Sequence, residues 1–168
     1  MHQYTPYIGD VNPSHEGPLD ANLLILAESP WTTEAAVGRP LCGASGNKLN
    51  YWLQMAGIMR SDCRIENLYP YKPPRIELDS VKDSDLIPWM ANLHERIAEM
   101  PNLNLIVTMG NYATFALTGK GKVRASVRKE LEQDSTMAEK KAGVSLLRGS
   151  IYKYTTLNGR EIKVMPTI

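Results

Sequence analysis

The chain is poor in cysteine. Cys42 and Cys63 are the only two among 168 residues, and they form no Cys-x-x-Cys pair. Two thiols cannot supply a four-thiolate zinc or iron–sulfur site, and they argue against a disulfide framework. Long apolar runs are missing as well; none approaches the roughly 18 residues that a membrane span needs. The opening MHQYTPYIGDVNPSHEGP has no basic-then-apolar leader and no small-residue cleavage site. Nor does one sign of charge dominate. With 19 basic and 18 acidic residues the formal charge is +1, so any polyanionic partner must be argued from local patches. Gly-x-Ser-x-Gly, Walker and Gly-x-Gly-x-x-Gly motifs are all absent, which disfavours a hydrolase of the α/β type or a nucleotide-binding enzyme. What remains is a reduced, cytoplasmic, monomeric protein of about one domain's length, with 43% hydrophobic and 22% charged residues and no bound cofactor expected.

Pro6, Pro13, Pro18, Gly9 and Gly17 mark residues 1–21 as a loose N-terminal arm. Leu23 to Ala27 is a continuous apolar run of strand length, the pattern of a strand covered on both faces. A helix is expected from Ser45, with Leu49, Trp52, Leu53 and Ala56 on one stripe and Gly57 closing it. Ile65 to Tyr69 is a second strand candidate. Asp85 to Met100 follows as a helix striped by Leu86, Met90, Leu93 and Ile97, with Pro88 in its first turn. Leu103 to Met109 is a third buried strand, and Asn111 to Leu117 a short helix ending at Gly119. Lys120 to Gly143 is polar and weakly periodic, a partly helical surface excursion. Asn158-Gly159 between two alternating runs predicts a closing hairpin. Strands alternating with helices predict an α/β fold: a three-layer αβα sandwich around a mainly parallel four-stranded sheet. In such sheets reactive groups gather beyond the carboxyl ends of the strands, here at Glu28–Trp31, Asn67–Pro74 and Gly110–Tyr112.

The motifs at those ends resemble the uracil-DNA glycosylase superfamily, most nearly its family 4. Ala27-Glu28-Ser29-Pro30-Trp31 is similar to that family's Gly-Glu-Ala-Pro-Gly. Gly38-Arg39-Pro40-Leu41-Cys42-Gly43-Ala44-Ser45-Gly46 is similar to its Gly-Arg-Pro-Phe-Val-Gly-x-x-Gly. Ala56-Gly57-Ile58, Asn67 to Pro74, Met109-Gly110-Asn111 and Arg148-Gly149 continue the match in order, from about residue 22 to the end. The resemblance implies a single glycosylase-like domain over residues 1–168. It implies a DNA repair activity in which a flipped uracil or modified pyrimidine is recognised and its N-glycosidic bond hydrolysed. The implied partner is DNA, single- or double-stranded. The alternative is a non-catalytic module that binds DNA or a base on the same fold.

Base extraction sets the roles. An amide can donate and accept at once, which suits a pyrimidine edge, so Asn67 is the candidate reader, unless it only caps a strand end. Glu28 either positions a water and faces an oxocarbenium-like sugar or organises the turn through backbone N–H groups; Ser29 would hold a water beside it. Gly43 and Gly46 would bring backbone donors to a sugar or phosphate, or would form a tight turn. Leu41 stands where the family stacks a Phe on the base, and Trp31 would either wall the pocket or pack under the loop at 32–37. Arg39 and Arg148 would contact phosphates; Lys120, Lys122, Arg124, Arg128 and Lys129 would line a backbone groove or, with the interspersed acids from Glu130 onward, belong to a solvated helix.

Two departures from the family are explicit. Family 4 holds a four-iron cluster through four cysteines; here the N-terminal pair is absent, the third position is Tyr71 and the fourth falls near Ile87, so no cluster is expected. The family's His-Pro motif follows a strand ending Val-x-Pro-Thr-x. This sequence reads Val164-Met165-Pro166-Thr167-Ile168, so the motif would begin one residue later, and the C-terminal part of the domain, with full activity, is expected to be missing.

Overall fold

The structure is a computed structural model that describes residues 15–75, 77–131 and 143–167. The chain order is β1 (His15–Glu16), β2 (Leu23–Ala27), α1 (Thr32–Val37), α2 (Ala44–Met55), β3 (Arg64–Asn67), α3 (Asp83–Ala98), β4 (Leu105–Met109), α4 (Asn111–Thr118), α5 (Ala125–Glu130), α6 (Val144–Leu147), β5 (Tyr152–Thr155) and β6 (Glu161–Thr167). The strands form one sheet of six in the order β1-β3-β2-β4-β6-β5. β3, β2, β4 and β6 run parallel, and β1 and β5 pair antiparallel at the two edges.

Three of the parallel strands, β2, β3 and β4, are those expected from the apolar runs, and the fourth, β6, is the second arm of the expected hairpin. The two edge strands correct the count to six. His15–Glu16, expected within the loose arm, pairs with Ile65 and Glu66, and the hairpin contributes its first strand to the sheet. The hairpin closes through Thr156 N–H to Arg160 O at 2.8 Å, with Gly159 in the left-handed region at φ 83°.

Alternation along the strands sends side chains to two cores. Leu24, Leu26 and Ile106 face α3 and α4 and pack with Leu86, Met90, Leu93, Ile97, Ala113 and Phe115. Ile25, Ala27 and Ile65 face α2 and pack with Leu49, Leu53, Leu41 and Cys63. A parallel sheet buried on both faces in this way explains the unbroken apolar run at Leu23–Ala27. The fold is an α/β three-layer sandwich.

Smaller differences have local causes. α3 begins at Asp83, two residues earlier than expected, because Asp83 and Asp85 suit the positive end of a helix dipole. Pro88 therefore falls in the second turn. α1 was not expected from the sequence, being only six residues of mixed polarity; Gly38, at φ 76°, ends it. Of the excursion expected at 120–143, Ala125–Glu130 is helical and 132–142 lie outside the described residues. No helix among the described residues is long and apolar enough to cross a membrane.

The chain leaves β2 for β3 on one side and later returns through α3 to β4 on the other side of β2. The exits of β2 and β4 thus diverge at a topological switch point, where open α/β sheets leave a crevice.

Candidate active site

A cleft of about 670 Å³ occupies that crevice, a volume suited to a ligand of nucleoside size. Its near wall comes from the exit of β2: Glu28, Ser29, Trp31, Glu34, Leu41 and Gly43. Its far wall comes from the exit of β4, with Gly110, Asn111 and Tyr112, supplemented by Glu77, Asp79, Lys122 and Val144.

The near wall is shaped by Glu34, a residue whose role the sequence did not disclose. Its side chain is 6% exposed. Oε1 accepts the N–H groups of Gly43 at 2.9 Å and Cys42 at 3.2 Å, and Oε2 accepts the N–H of Trp31 at 3.1 Å. Arg60 holds the same loop from the other side, donating to Pro40 O at 2.7 Å, Leu41 O at 2.9 Å and Glu16 Oε1 at 2.5 Å. Between these clamps Leu41 is held at φ 44°, a left-handed conformation uncommon for a leucine.

Glu28 joins the two walls. Its Oε1 accepts the Tyr112 N–H at 2.7 Å, near the start of α4. To get there the carboxylate crosses the face of Gly110, where a Cβ would lie 2.4 Å from Oε1. Gly110 is at φ 105°, so both its conformation and its bareness are required. Burial, together with the nearby charges of Asp79 and Glu77, raises the Glu28 carboxyl to about 7 against the pull of the Tyr112 N–H. Among the described residues Oε2 has no hydrogen-bond partner. Beside it the Tyr112 hydroxyl donates to Asp79, and burial followed by that bond pushes the phenol well up.

Glu28, Ser29, Trp31, Leu41 and Gly43 are brought together as lining residues. Four other expected site residues are not. Asn67 pairs with Ala27 at the same sheet edge but is 1% exposed and is not part of the lining. Gly46 is buried inside α2, where a Cβ would sit 1.8 Å from Leu41 O, so its bareness serves packing against the loop and not a phosphate. Arg39 turns away to ion-pair with Glu16 at 2.7 Å. Arg148 is exposed at the end of α6, close to the exit of β6, where Gly149 N–H reaches Pro166 O at 3.1 Å. The backbone donor of Gly43 is taken by Glu34, as above. Within the basic stretch, Arg124 binds Asp83 and Leu78 O at 2.6 and 2.8 Å, and Arg128 caps Gly119 O and Gly121 O while lying over Phe115. These two arginines fasten α5 to the body and do not line a groove; of the five basic residues only Lys122 lines the cleft.

The sequence pattern of the uracil DNA glycosylase superfamily matches residues 14–167. The chain belongs to the uracil DNA glycosylase superfamily. It is similar to the type-4 uracil-DNA glycosylase of Pyrobaculum aerophilum, 36% identical over 59 residues that cover 35% of this chain and 30% of that relative. The similarity therefore lies with family 4, across less than a third of that relative's length.

The resemblance to family 4 implies an iron–sulfur cluster, and the residues of this glycosylase-superfamily chain do not fit one. Tyr71, at one of the expected ligand positions, packs edge-on against Tyr69 and Trp89, with ring centroids 5.4 and 5.9 Å away. Ile87 packs against the same core. Cys63 is buried in the opposite core and Cys42 belongs to the loop clamped by Glu34. Aromatic packing occupies the place where thiolates would be needed.

Proposed function

We propose that this protein binds a uracil or modified pyrimidine flipped out of DNA and hydrolyses its N-glycosidic bond, in base excision repair. The observation that carries the reading is Glu28. Its Oε1 is fixed on the Tyr112 N–H, its Oε2 is left over at the cleft, and its carboxyl is raised to about 7. A carboxylate so placed can hold a water against C1′ of the sugar, with the Ser29 hydroxyl as second holder, and can balance the positive charge that develops on the sugar. The water oxygen bonds to C1′ as the C1′–N1 bond breaks. The bonding pair leaves with the base, and the water proton passes to Oε2. Trp31 and Leu41 would cover the base within the cleft. Superfamily membership and the type-4 relative support the substrate class.

The test is release of free uracil from a single uracil-containing oligonucleotide, scored by strand scission at the abasic site. The rate should rise as pH increases through about 7, as Glu28 loses its proton. Glu28→Gln, which keeps an acceptor for the Tyr112 N–H, should lower release by about 10²- to 10⁴-fold. Binding of the oligonucleotide with no release at any pH would favour the non-catalytic alternative.

A further inference from the structure

The sequence pointed to Asn67 as the amide that reads the base, yet the amide lining the cleft is Asn111. Two backbone donors from separate loops fix its orientation. Lys122 N–H and Val144 N–H both donate to Asn111 Oδ1, at 3.0 and 2.8 Å. An N–H cannot bond to an NH₂ group, so the positions of oxygen and nitrogen are decided by chemistry. The lone pairs of Oδ1 are used within the protein, and among the described residues Nδ2 has no acceptor, which keeps its two hydrogens as donors. Holding the amide costs no further ordering when a ligand arrives.

The charges of the cleft say which acceptor those hydrogens would meet. Among the described residues, Glu28, Glu34, Glu77 and Asp79 line it, against Lys122 as the one basic residue. Four carboxyl groups make a poor bed for phosphate but are compatible with a neutral base, whose N–H they can accept. A base carbonyl would then need a neutral donor from the protein. We propose that Asn111 is a specificity residue whose Nδ2 donates to a carbonyl oxygen of the flipped pyrimidine. This inference rests on the glycosylase reading of the same cleft. The bond would strengthen as the departing base gains negative charge, so it would act on release as well as on binding.

Asn111→Asp tests it, because aspartate keeps an oxygen for both backbone donors and exchanges only the NH₂. The probe is an oligonucleotide with one 2′-fluoro-2′-deoxyuridine, which resists hydrolysis, compared with one carrying a tetrahydrofuran abasic analogue. A new negative charge that merely repels DNA weakens both equally. Loss of base reading instead lowers the uracil-to-abasic affinity ratio, by about tenfold for one hydrogen bond, with the unfolding midpoint unchanged. A second measurement needs no variant: the wild-type protein should bind one of the 2-thio and 4-thio forms of the same probe about tenfold more weakly than the oxo form, since sulfur is the poorer acceptor. An unchanged ratio in a folded Asn111→Asp protein, or equal wild-type affinity for all three probes, overturns the inference alone. A wild-type protein that binds uracil DNA but never releases uracil overturns the enzymatic reading and leaves this one standing. A wild-type protein that does not distinguish uracil from the abasic analogue overturns both.

Discussion

The two walls of the cleft use polar groups in opposite ways. In the loop at residues 38–43 the polar groups around the backbone are turned inward: Glu34 spends both oxygens on Trp31, Cys42 and Gly43, and Arg60 spends its guanidinium on Pro40, Leu41, Asn50 and Glu16. At the turn into α4 each side chain commits one atom and keeps another. Glu28 fixes Oε1 and retains Oε2; Asn111 fixes Oδ1 and retains Nδ2. The first arrangement makes a shape. The second makes a chemically available group that is already in position. Loop 38–43 should therefore answer to substitution in stability, and the turn at 109–112 in ligand chemistry.

The comparison is most exposed to failure at Glu34. Glu34→Ala leaves the N–H groups of Trp31, Cys42 and Gly43 without their acceptor. Unmet buried donors cost roughly 1–3 kcal/mol each when water cannot reach them, and the loop can relax at part of that cost, so about 3 kcal/mol of global stability should be lost. Urea unfolding measures it through the midpoint at constant slope. A loss below about 1 kcal/mol would mean that the near wall does not depend on this carboxylate.

Gly110→Ala should cost less and do more to the site. The new Cβ meets a side chain, Glu28, and the backbone conformation at φ 105° and ψ 170° is one that L residues avoid, for an expected loss of roughly 2 kcal/mol. Displacing Glu28 gives up the downward pull of the Tyr112 N–H but lets water in, and because burial is the larger influence the raised pKa should fall, and with it the pH at which uracil release rises. Gly46→Ala is the matched control. Its Cβ meets backbone, at Leu41 O, so stability should suffer while that pH dependence stays put in whatever folds. If both variants shift the pH dependence alike, the two walls are not separable.

The near wall was legible in sequence and the far wall was not, for a physical reason. The apolar run at Leu23–Ala27 and the breaks after it mark a buried strand and its exit by composition, which locates Glu28–Trp31, and the resemblance to the glycosylase motifs added Leu41 and the roles. The same logic marked Gly110–Tyr112 as a place but not Asn111 as a residue. Its significance depends on Lys122 and Val144 converging on one oxygen, from 11 and 33 positions away. Glu34 was illegible because its partners lie in a loop that folds back over α1, and one acid in a six-residue helix carries no periodicity. Arg39, Gly46 and Asn67 are not among the residues that line the cleft, and residue type alone could not tell. Residue type shows that an Arg can pair, a Gly can approach and an Asn can read, but the competing partners inside the protein, Glu16 and the Leu41 carbonyl among them, are visible only in three dimensions.

The smallest expected effect sharpens the claim that Glu28 is held in reserve at a cost. Its carboxyl titrates at an ordinary 4.5 when unfolded and about 7 when folded. Between those values the folded protein keeps a proton that the unfolded chain has released, so this group's contribution to stability falls as pH rises through the window and is level above it. Below 4.5 both states are protonated and no penalty exists. Glu28→Gln cannot ionise and still offers Oε1 to Tyr112. Its stability relative to wild type should therefore climb across the window and reach a plateau above about 7. The full shift sets a ceiling near 3 kcal/mol, and water at the half-buried carboxyl reduces the expected gain to on the order of 1 kcal/mol. Thermal unfolding of the two proteins at several pH values reads it directly. A gain at high pH beside a loss of uracil release would show one carboxylate kept for chemistry at the expense of the fold. A difference that does not vary with pH would remove Glu28 from the reserved groups and leave Asn111 as the sole contrast between the walls.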